Sequence, residues 1–182
     1  PKTGHMVYLP EEEAKMKWIL GSERLGFREI PAEDFTLLCP ILQDGEIMYA
    51  WEHGFTESEV REWIEKNISR YASDGFSYYA AIRKTTGELI GMMGPLIENI
   101  QGHAHIGVAY IPDKKYWGQG YATEGAKACM EFAFSHLHAE NVIAEIRPEN
   151  LPSRKVAERL GMRITGAFMK EYNGRQMKHL IY

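Results

Sequence analysis

Two cysteines in 182 residues, Cys39 and Cys129, are too few for a disulfide framework. Both sit among apolar neighbours and read as packed side chains rather than nucleophiles; a single disulfide between them stays open. A reducing cytoplasm is the default compartment for such a chain. No apolar run approaches the length of a membrane span, and no charged segment followed by an apolar one marks a signal peptide. There is no basic excess either. The net charge is -4, so the sequence carries no electrostatic footprint for nucleic acid. Internal repeats, low-complexity tracts and linkers are missing. His103 pairs with His105, and His136 with His138, but neither pair has the third or fourth ligand a zinc site needs, so no metal is expected. No serine, histidine and acid surround a nucleophile turn.

What is present suits one compact α/β domain: 45% apolar and 12% aromatic residues, enough for a sizeable core. Residues 1–6 look like a vector-derived scar, leaving 7–182 as a single domain, although Met16 could also be a native start. Residues 18–30 read as a strand with Leu25, Phe27 and Ile30 inward. Pro31-Ala32-Glu33-Asp34 then starts a helix carrying Phe35, Leu38, Ile41 and Leu42. Thr56 with Glu59 makes a capping-box pattern for a second helix, whose apolar face is Val60, Trp63, Ile64 and Ile68. Strands follow over 76–83, 88–98 and 103–111, with Gly91 and Gly94 as candidate bulge positions. A helix from Gly120 or Tyr121 to about Leu137 packs through Ala122, Ala126, Met130, Ala133 and Phe134. A short strand at 142–146 leads to a helix capped by Asn150, with Pro152 in its first turn, and ended by Gly161. Strands 164–170 and 176–182 meet at Asn173-Gly174, a strong hairpin signal. The order is β-α-α-β-β-β-α-β-α-β-β, with one parallel crossover in an otherwise antiparallel sheet.

The turn before the long helix is rich in glycine: Trp117-Gly118-Gln119-Gly120-Tyr121-Ala122. Two glycines let the backbone turn tightly and approach a ligand. Free N–H groups at a helix start attract an anion, and a diphosphate is a good candidate. The Gly-Lys-Ser/Thr ending of a nucleoside-triphosphate loop is missing, as are the third glycine and following acid of a dinucleotide fingerprint. The glycines alone are equally compatible with a plain strand-to-helix turn.

The longer run Gly107-Val108-Ala109-Tyr110-Ile111-Pro112, then Tyr116-Trp117-Gly118-Gln119-Gly120-Tyr121-Ala122-Thr123-Glu124, resembles the acetyl-CoA signature of the GNAT N-acetyltransferase superfamily. It looks most like the branch that holds the ribosomal-protein N-terminal (alanine or serine) acetyltransferases. Glu23-Arg24-Leu25-Gly26-Phe27-Arg28 followed by Asp34 is similar to the opening of that branch. Asn150-Leu151-Pro152-Ser153 and Arg159-Leu160-Gly161-Met162 are similar to its later elements. The resemblance spans about residues 19–182. It implies a GNAT-like α/β (α+β) fold: a mixed, mostly antiparallel seven-stranded sheet, about four flanking helices and a central β-α-β crossover. It implies acetyl-CoA as cosubstrate and an amine acceptor, either a protein N-terminus or a small molecule, with no nucleic acid or membrane partner and room for a homodimer. The pantetheine arm would follow residues 108–111 in the gap beside 142–146, paired to backbone groups of Tyr110 and Ile111. N–H groups of Trp117, Gly118, Gln119, Gly120, Tyr121 and Ala122, with Thr123 in the same signature, would hold the pyrophosphate. Asn150 would contact the arm or a bound water. Two departures stand out. Trp117 replaces the Arg or Gln of many relatives, and Ala157 removes a tyrosine acid that some relatives carry.

An amine must shed a proton to attack a thioester, since its pKa is near 8 for an α-amine and about 10.4 for lysine. A carboxylate acting through water can accept that proton, and a backbone N–H can stabilise the developing oxyanion. Glu145 is the first candidate base, Glu171 the second and His105 the third; each could equally be an ordinary strand residue. Ser153 is the candidate donor to the leaving sulfur, or a first-turn serine. Residues 42–71 and the hairpin near Asn173 should select the acceptor. An acidic rim of Asp44, Glu46, Glu52, Glu57 and Glu59 would suit a cationic amine or basic peptide. Tyr49, Trp51, Phe55, Tyr78 and Tyr79 line the acceptor cleft or fill the core, with Tyr78 placed in the core. The alternatives are a small-molecule acetyltransferase for a polyamine, antibiotic or amino acid, a non-catalytic acyl-CoA-binding module, and an unrelated phosphate binder.

Overall fold

The computed structural model describes residues 18–182; the expectations for the scar and for Met16 lie outside the described residues. Among the described residues, eight strands form a five-stranded and a three-stranded sheet joined by one bridge, with four α-helices packed around them. β1 (Leu20–Gly21), β2 (Leu25–Arg28), β3 (Tyr79–Arg83), β4 (Leu89–Ile100) and β5 (His103–Pro112) are antiparallel in that order. β6 (Glu145–Ile146), β8 (Arg175–Ile181) and β7 (Gly166–Tyr172) make the second sheet. The α+β class with a central crossover is as expected. The eighth strand arises because residues 18–30 fold back as a hairpin rather than run straight. Ser22 and Arg24 turn the chain there to bond Glu124, a distant partner.

α1 (Phe35–Leu42) and α2 (Glu57–Ser73) cover one face of the larger sheet; α3 (Tyr121–Ser135) and α4 (Leu151–Arg159) lie on the other. The Thr56–Glu59 capping box is present in both directions, so two orphan donors at the start of α2 are satisfied. On α2, Val60 and Ile64 are buried as predicted, but Asn67 takes the inward place assigned to Ile68, which is 39% exposed. Asn67 Oδ1 accepts from Ser77 Oγ at 2.5 Å and from the Tyr78 N–H at 3.3 Å, while its amide donates to the Trp63 carbonyl at 2.8 Å. A fully bonded amide replaces an apolar contact there. On α3, Gly125, Ala126, Cys129 and Ala133 pack inward, whereas Phe134 is 45% exposed, contrary to expectation.

β4 is apolar almost throughout because both of its faces are covered. A bulge does occur between β3 and β4, but the extra residue is Ile90. Gly94 has a different reason: a Cβ there would meet the Ser77 carbonyl oxygen at 2.2 Å.

Candidate active site

β5 ends at Pro112, and a 3₁₀ turn over Lys114–Tyr116 leads to the glycine turn. Gly118 and Gly120 adopt φ of 78° and 80°, the left-handed region that a side chain disfavours. The Trp117 amide donates to the Lys114 carbonyl at 3.1 Å and is therefore committed. Among the described residues, the amides of Gly118, Gln119, Gly120, Tyr121, Ala122 and Thr123 have no acceptor, and the Glu124 amide starts the helical pattern on the Gly120 carbonyl at 3.0 Å. Six successive unpaired donors stand at the positive end of a 15-residue helix, an arrangement that favours an anion. The run is thus shifted by one from the expected 117–122.

Three residues brace this turn. Glu124 accepts from Ser22 Oγ (2.6 Å), the Arg24 amide (2.9 Å) and Arg24 Nε (2.7 Å). Arg24 Nη1 donates to the Gln119 carbonyl at 3.0 Å, and its guanidinium lies 4.1 Å from the Tyr121 ring centroid. These contacts hold the Glu124 carboxyl below its usual range against the cost of its burial. The Trp117 indole N–H is spent on the Pro112 carbonyl at 3.1 Å, leaving the ring 45% exposed beside the donors.

Midway along its length β5 meets the second sheet, among the described residues, through a single parallel bridge, Gly107 to Ile143. The Val108 amide donates to Ile143 O at 2.8 Å, and the Ile143 amide to Ile106 O at 3.0 Å. The chain then turns away: Ala144 pairs with Tyr182 and Glu145 with Ile181. Because strand N–H groups alternate in direction, the Tyr110 backbone faces the gap that opens, while Ile111 faces β4 opposite Met92. The gap presents an unpaired strand edge of the kind an extended ligand can extend.

A cleft of about 160 Å³ passes through that gap. On the α4 side it meets Tyr110, Asn150 and Ser153. Ser153 Oγ donates to Tyr110 Oη at 3.0 Å, and Tyr110 Oη donates to the Ser153 carbonyl at 2.7 Å. Burial pushes the Tyr110 phenol up to about 12, so it stays a proton carrier at neutral pH. Asn150 Oδ1 caps α4 by accepting from the Ser153 amide at 3.4 Å. On the α2 side the cleft meets Trp51, Glu98, Lys170, Tyr172 and His179. Burial lowers the His179 pKa, and its Nδ1 lies 3.1 Å from the Met177 carbonyl.

Of the candidate bases, Glu145 lines the cleft, but its carboxylate is tied to Lys170 Nζ at 2.9 Å and its side chain is only 6% exposed. Glu171 lies between Lys170 and Tyr172, both of which face the cleft, so strand alternation turns it away. His105 sits opposite Glu98 in the β4–β5 ladder and is not part of the cleft lining. Glu98 itself was missed by sequence reasoning. Its signal was a lone carboxylate near the end of an otherwise apolar strand. Burial pushes its carboxyl up to about 7, and the nearby Glu145 charge adds to the rise against Lys170, Arg70 and Lys66.

Each carboxylate of the acidic rim has a basic partner, but Asp44 and Glu46 share one lysine, so the rim keeps part of its negative charge. Asp44 and Glu46 pair with Lys114 (2.6 and 3.7 Å), Glu57 with Arg61 (3.2 Å), Glu59 with His53 (2.9 Å), and Glu52 with Arg175. The Glu52–Arg175 pair joins the loop before α2 to the β7–β8 hairpin. Of the predicted aromatics, Phe55, Tyr78 and Tyr79 are core, Trp51 reaches the cleft with Tyr78, and Tyr49 is exposed.

No helix in the described residues is long and apolar enough to cross a membrane, and no group of three or more His, Cys, Asp or Glu among them could hold a metal. The chain is 30% identical to the uncharacterized N-acetyltransferase p20 of Bacillus licheniformis, over 84% of this chain and 86% of that one. A GNAT-family acetyltransferase crystal structure from Bacillus anthracis superposes with a TM-score of 0.75 at 26% identity, covering 90% of this chain and 95% of the other. The ribosomal L7/L12 α-N-protein acetyltransferase RimL, solved with coenzyme A, shares the fold at a TM-score of 0.71 and 18% identity, over 88% and 93% of the two chains. The model of the acetyltransferase (GNAT) domain matches residues 24–163, and with the sheet gap and amide fan just described the chain belongs to the GNAT acetyltransferases.

Proposed function

We propose that this acetyltransferase moves the acetyl group of acetyl-CoA to a primary amine delivered from the α2 side of the gap. The amides of residues 118–123 would hold the pyrophosphate. The pantetheine arm would lie along β5, pairing with the Tyr110 carbonyl, and Asn150 and Ser153 would flank its thiol end. The carrying observation is continuity: six free donors at one end of β5 run into an unpaired strand edge that opens on a cleft with proton-carrying groups. The fit is to a diphosphate with an extended tail, since the turn has no lysine to meet a γ-phosphate. RimL, as its name states, acts on a protein N-terminus and binds coenzyme A. The Glu52–Arg175 strap and the aromatic mouth suit a peptide α-amine entering end-on, in keeping with that branch.

Ser153, hydrogen-bonded to Tyr110, would return a proton to the departing sulfur. The Tyr110 N–H, aimed into the gap, is the donor best placed for the carbonyl oxygen as charge develops. Calorimetric titration with CoA, against ATP and NAD as controls, tests the binding site. CoA release from acetyl-CoA in the presence of N-terminal peptides, polyamines and aminoglycosides tests the transfer. Activity confined to polyamines or aminoglycosides would move the acceptor assignment to small molecules, and no binding of CoA would end the proposal.

A further inference from the structure

Glu98 is a carboxylate that nothing in the fold explains. It stands near the end of β4 and makes no hydrogen bond or ion pair among the described residues. Among the described residues no buried side-chain oxygen lacks both a partner and accessible surface, so the Glu98 oxygens open onto the cleft they line. The neighbouring strand makes room for it. A Cβ on Gly107 would meet Glu98 Cγ at 2.7 Å, so the missing side chain at 107 lets Glu98 lie across β5 toward Ile143 and the sheet gap. Titratable groups face it from every surrounding element, and Glu145, Lys170, Arg70 and Lys66 are the ones that shift it. Lys66 and Arg70 come from α2, Tyr78 precedes β3, His105 stands opposite on β5, Glu145 is on β6 and Lys170 on β7. Lys170 is committed to Glu145, which neutralises one carboxylate and leaves the other free.

We propose that Glu98 is the general base of the transfer, and that the Glu145–Lys170 pair is a positioning element that tunes it. The assignment rests on the acetyltransferase reading above. The acceptor arrives as an ammonium, and Glu98 takes one proton from it, directly or through one water. The freed nitrogen lone pair forms the C–N bond to the acetyl carbon, and the C–S bond breaks with both electrons on sulfur. The second nitrogen proton balances the one that sulfur needs, passed by way of the Ser153 hydroxyl. Glu98 then returns its proton to solvent.

A base with a carboxyl near 7 is poised for this work. Activity should rise through neutral pH as Glu98 ionises. Glu98→Gln should lower kcat/KM by roughly 10²–10⁴-fold, the usual range for a positioned acid–base group, and the rise should vanish from what remains. CoA affinity should stay within about twofold, because the pyrophosphate donors lie at the far end of β5. A readout independent of turnover follows from linkage. A carboxyl raised in the folded state stabilises the fold while protonated, and that stability is lost as pH climbs from about 4.5 through about 7. The midpoint of wild-type unfolding should therefore fall over that window relative to Glu98→Gln, which lacks this contribution. Glu145→Gln removes a like charge and frees Lys170, so the activity limb should move to lower pH; this variant tests the assignment even if Glu98→Gln folds poorly. Wild-type transfer with an unchanged limb and rate in Glu98→Gln, or an unmoved limb in Glu145→Gln, overturns the Glu98 role alone. Failure of the wild-type chain to bind CoA removes the acetyltransferase reading instead.

Discussion

Gly118→Ala isolates the amide fan from everything else in the fold. A Cβ at this position meets nothing within 4 Å, so the substitution adds no clash. It acts only through φ of 78°, where an L side chain costs about 1–2 kcal/mol. The turn can escape that strain only by rotating residues 118–120, which swings two or three of the six donors off their common target. Hydrogen bonds to a charged group contribute about 1.5–3 kcal/mol each. Loss of even one raises the CoA dissociation constant roughly 10–100-fold. Global stability should drop by no more than the strain itself, a fall in Tm of about 2–8 °C for a domain this size. Gly75→Ala is the matched control: φ of 87°, nothing within 4 Å, and a position after α2 outside the cleft. It should show the same fall in Tm and unchanged CoA affinity. The assay is calorimetric titration of CoA into both variants beside a thermal melt. Equal CoA affinity in the two variants would refute the idea that amides at this turn bind the pyrophosphate.

Ser153→Ala should reduce turnover about a hundredfold, near the low end for a positioned proton donor, with CoA affinity unchanged in the same titration; full turnover would remove Ser153 from the mechanism. Arg24→Ala strips the brace from the turn and leaves Glu124 with two of its three donors. It should weaken CoA binding about tenfold while acceptor KM stays constant, and steady-state kinetics separates the two. Gly94→Ala drives a Cβ into the Ser77 carbonyl, an overpacking cost of about 1–3 kcal/mol; a denaturant titration that shows no loss would mean β4 can shift away from β3.

Local chemistry carried much of the fold into the sequence. The capping box at Thr56 and Glu59 formed as its spacing required. Asn173 and Gly174, with φ of 50° and 75°, take the paired left-handed turn that their dipeptide favours. Gly161 ends α4 at φ of 83°. Two of the misplacements depend on partners outside the local pattern. The bend between β1 and β2 depends on Glu124, about a hundred residues away. Asn67 displaces Ile68 from the core because Ser77 and Tyr78 supply its bonds. The glycine turn with its unpaired amides was legible since glycine spacing and helix start lie side by side in sequence. Glu98 was not, because a strand glutamate becomes unusual only when Gly107 on the next strand clears space and Lys170 is taken by Glu145. Glu145 and Glu171 were visible as carboxylates, but their standing depends on a salt bridge and on strand parity that spacing cannot reveal.

Two local costs fall in one place, and that coincidence is the strongest physical argument for where chemistry occurs. Beyond Val108 the edge of β5 forgoes strand pairing, and each unmade backbone hydrogen bond sacrifices about 0.5–1.5 kcal/mol. An open edge inside a sheet is a hazard unless something covers it. A few residues away, Glu98 makes no ion pair among the described residues, where burial opposes its charge. A sequence optimised for stability alone would close the gap with one more bridge and place an apolar residue at 98. On the proposed reading, an extended acyl donor would relieve the first cost by pairing with the edge. A cationic amine would relieve the second by bringing a proton. The two defects would then describe complementary substrates that meet near Tyr110.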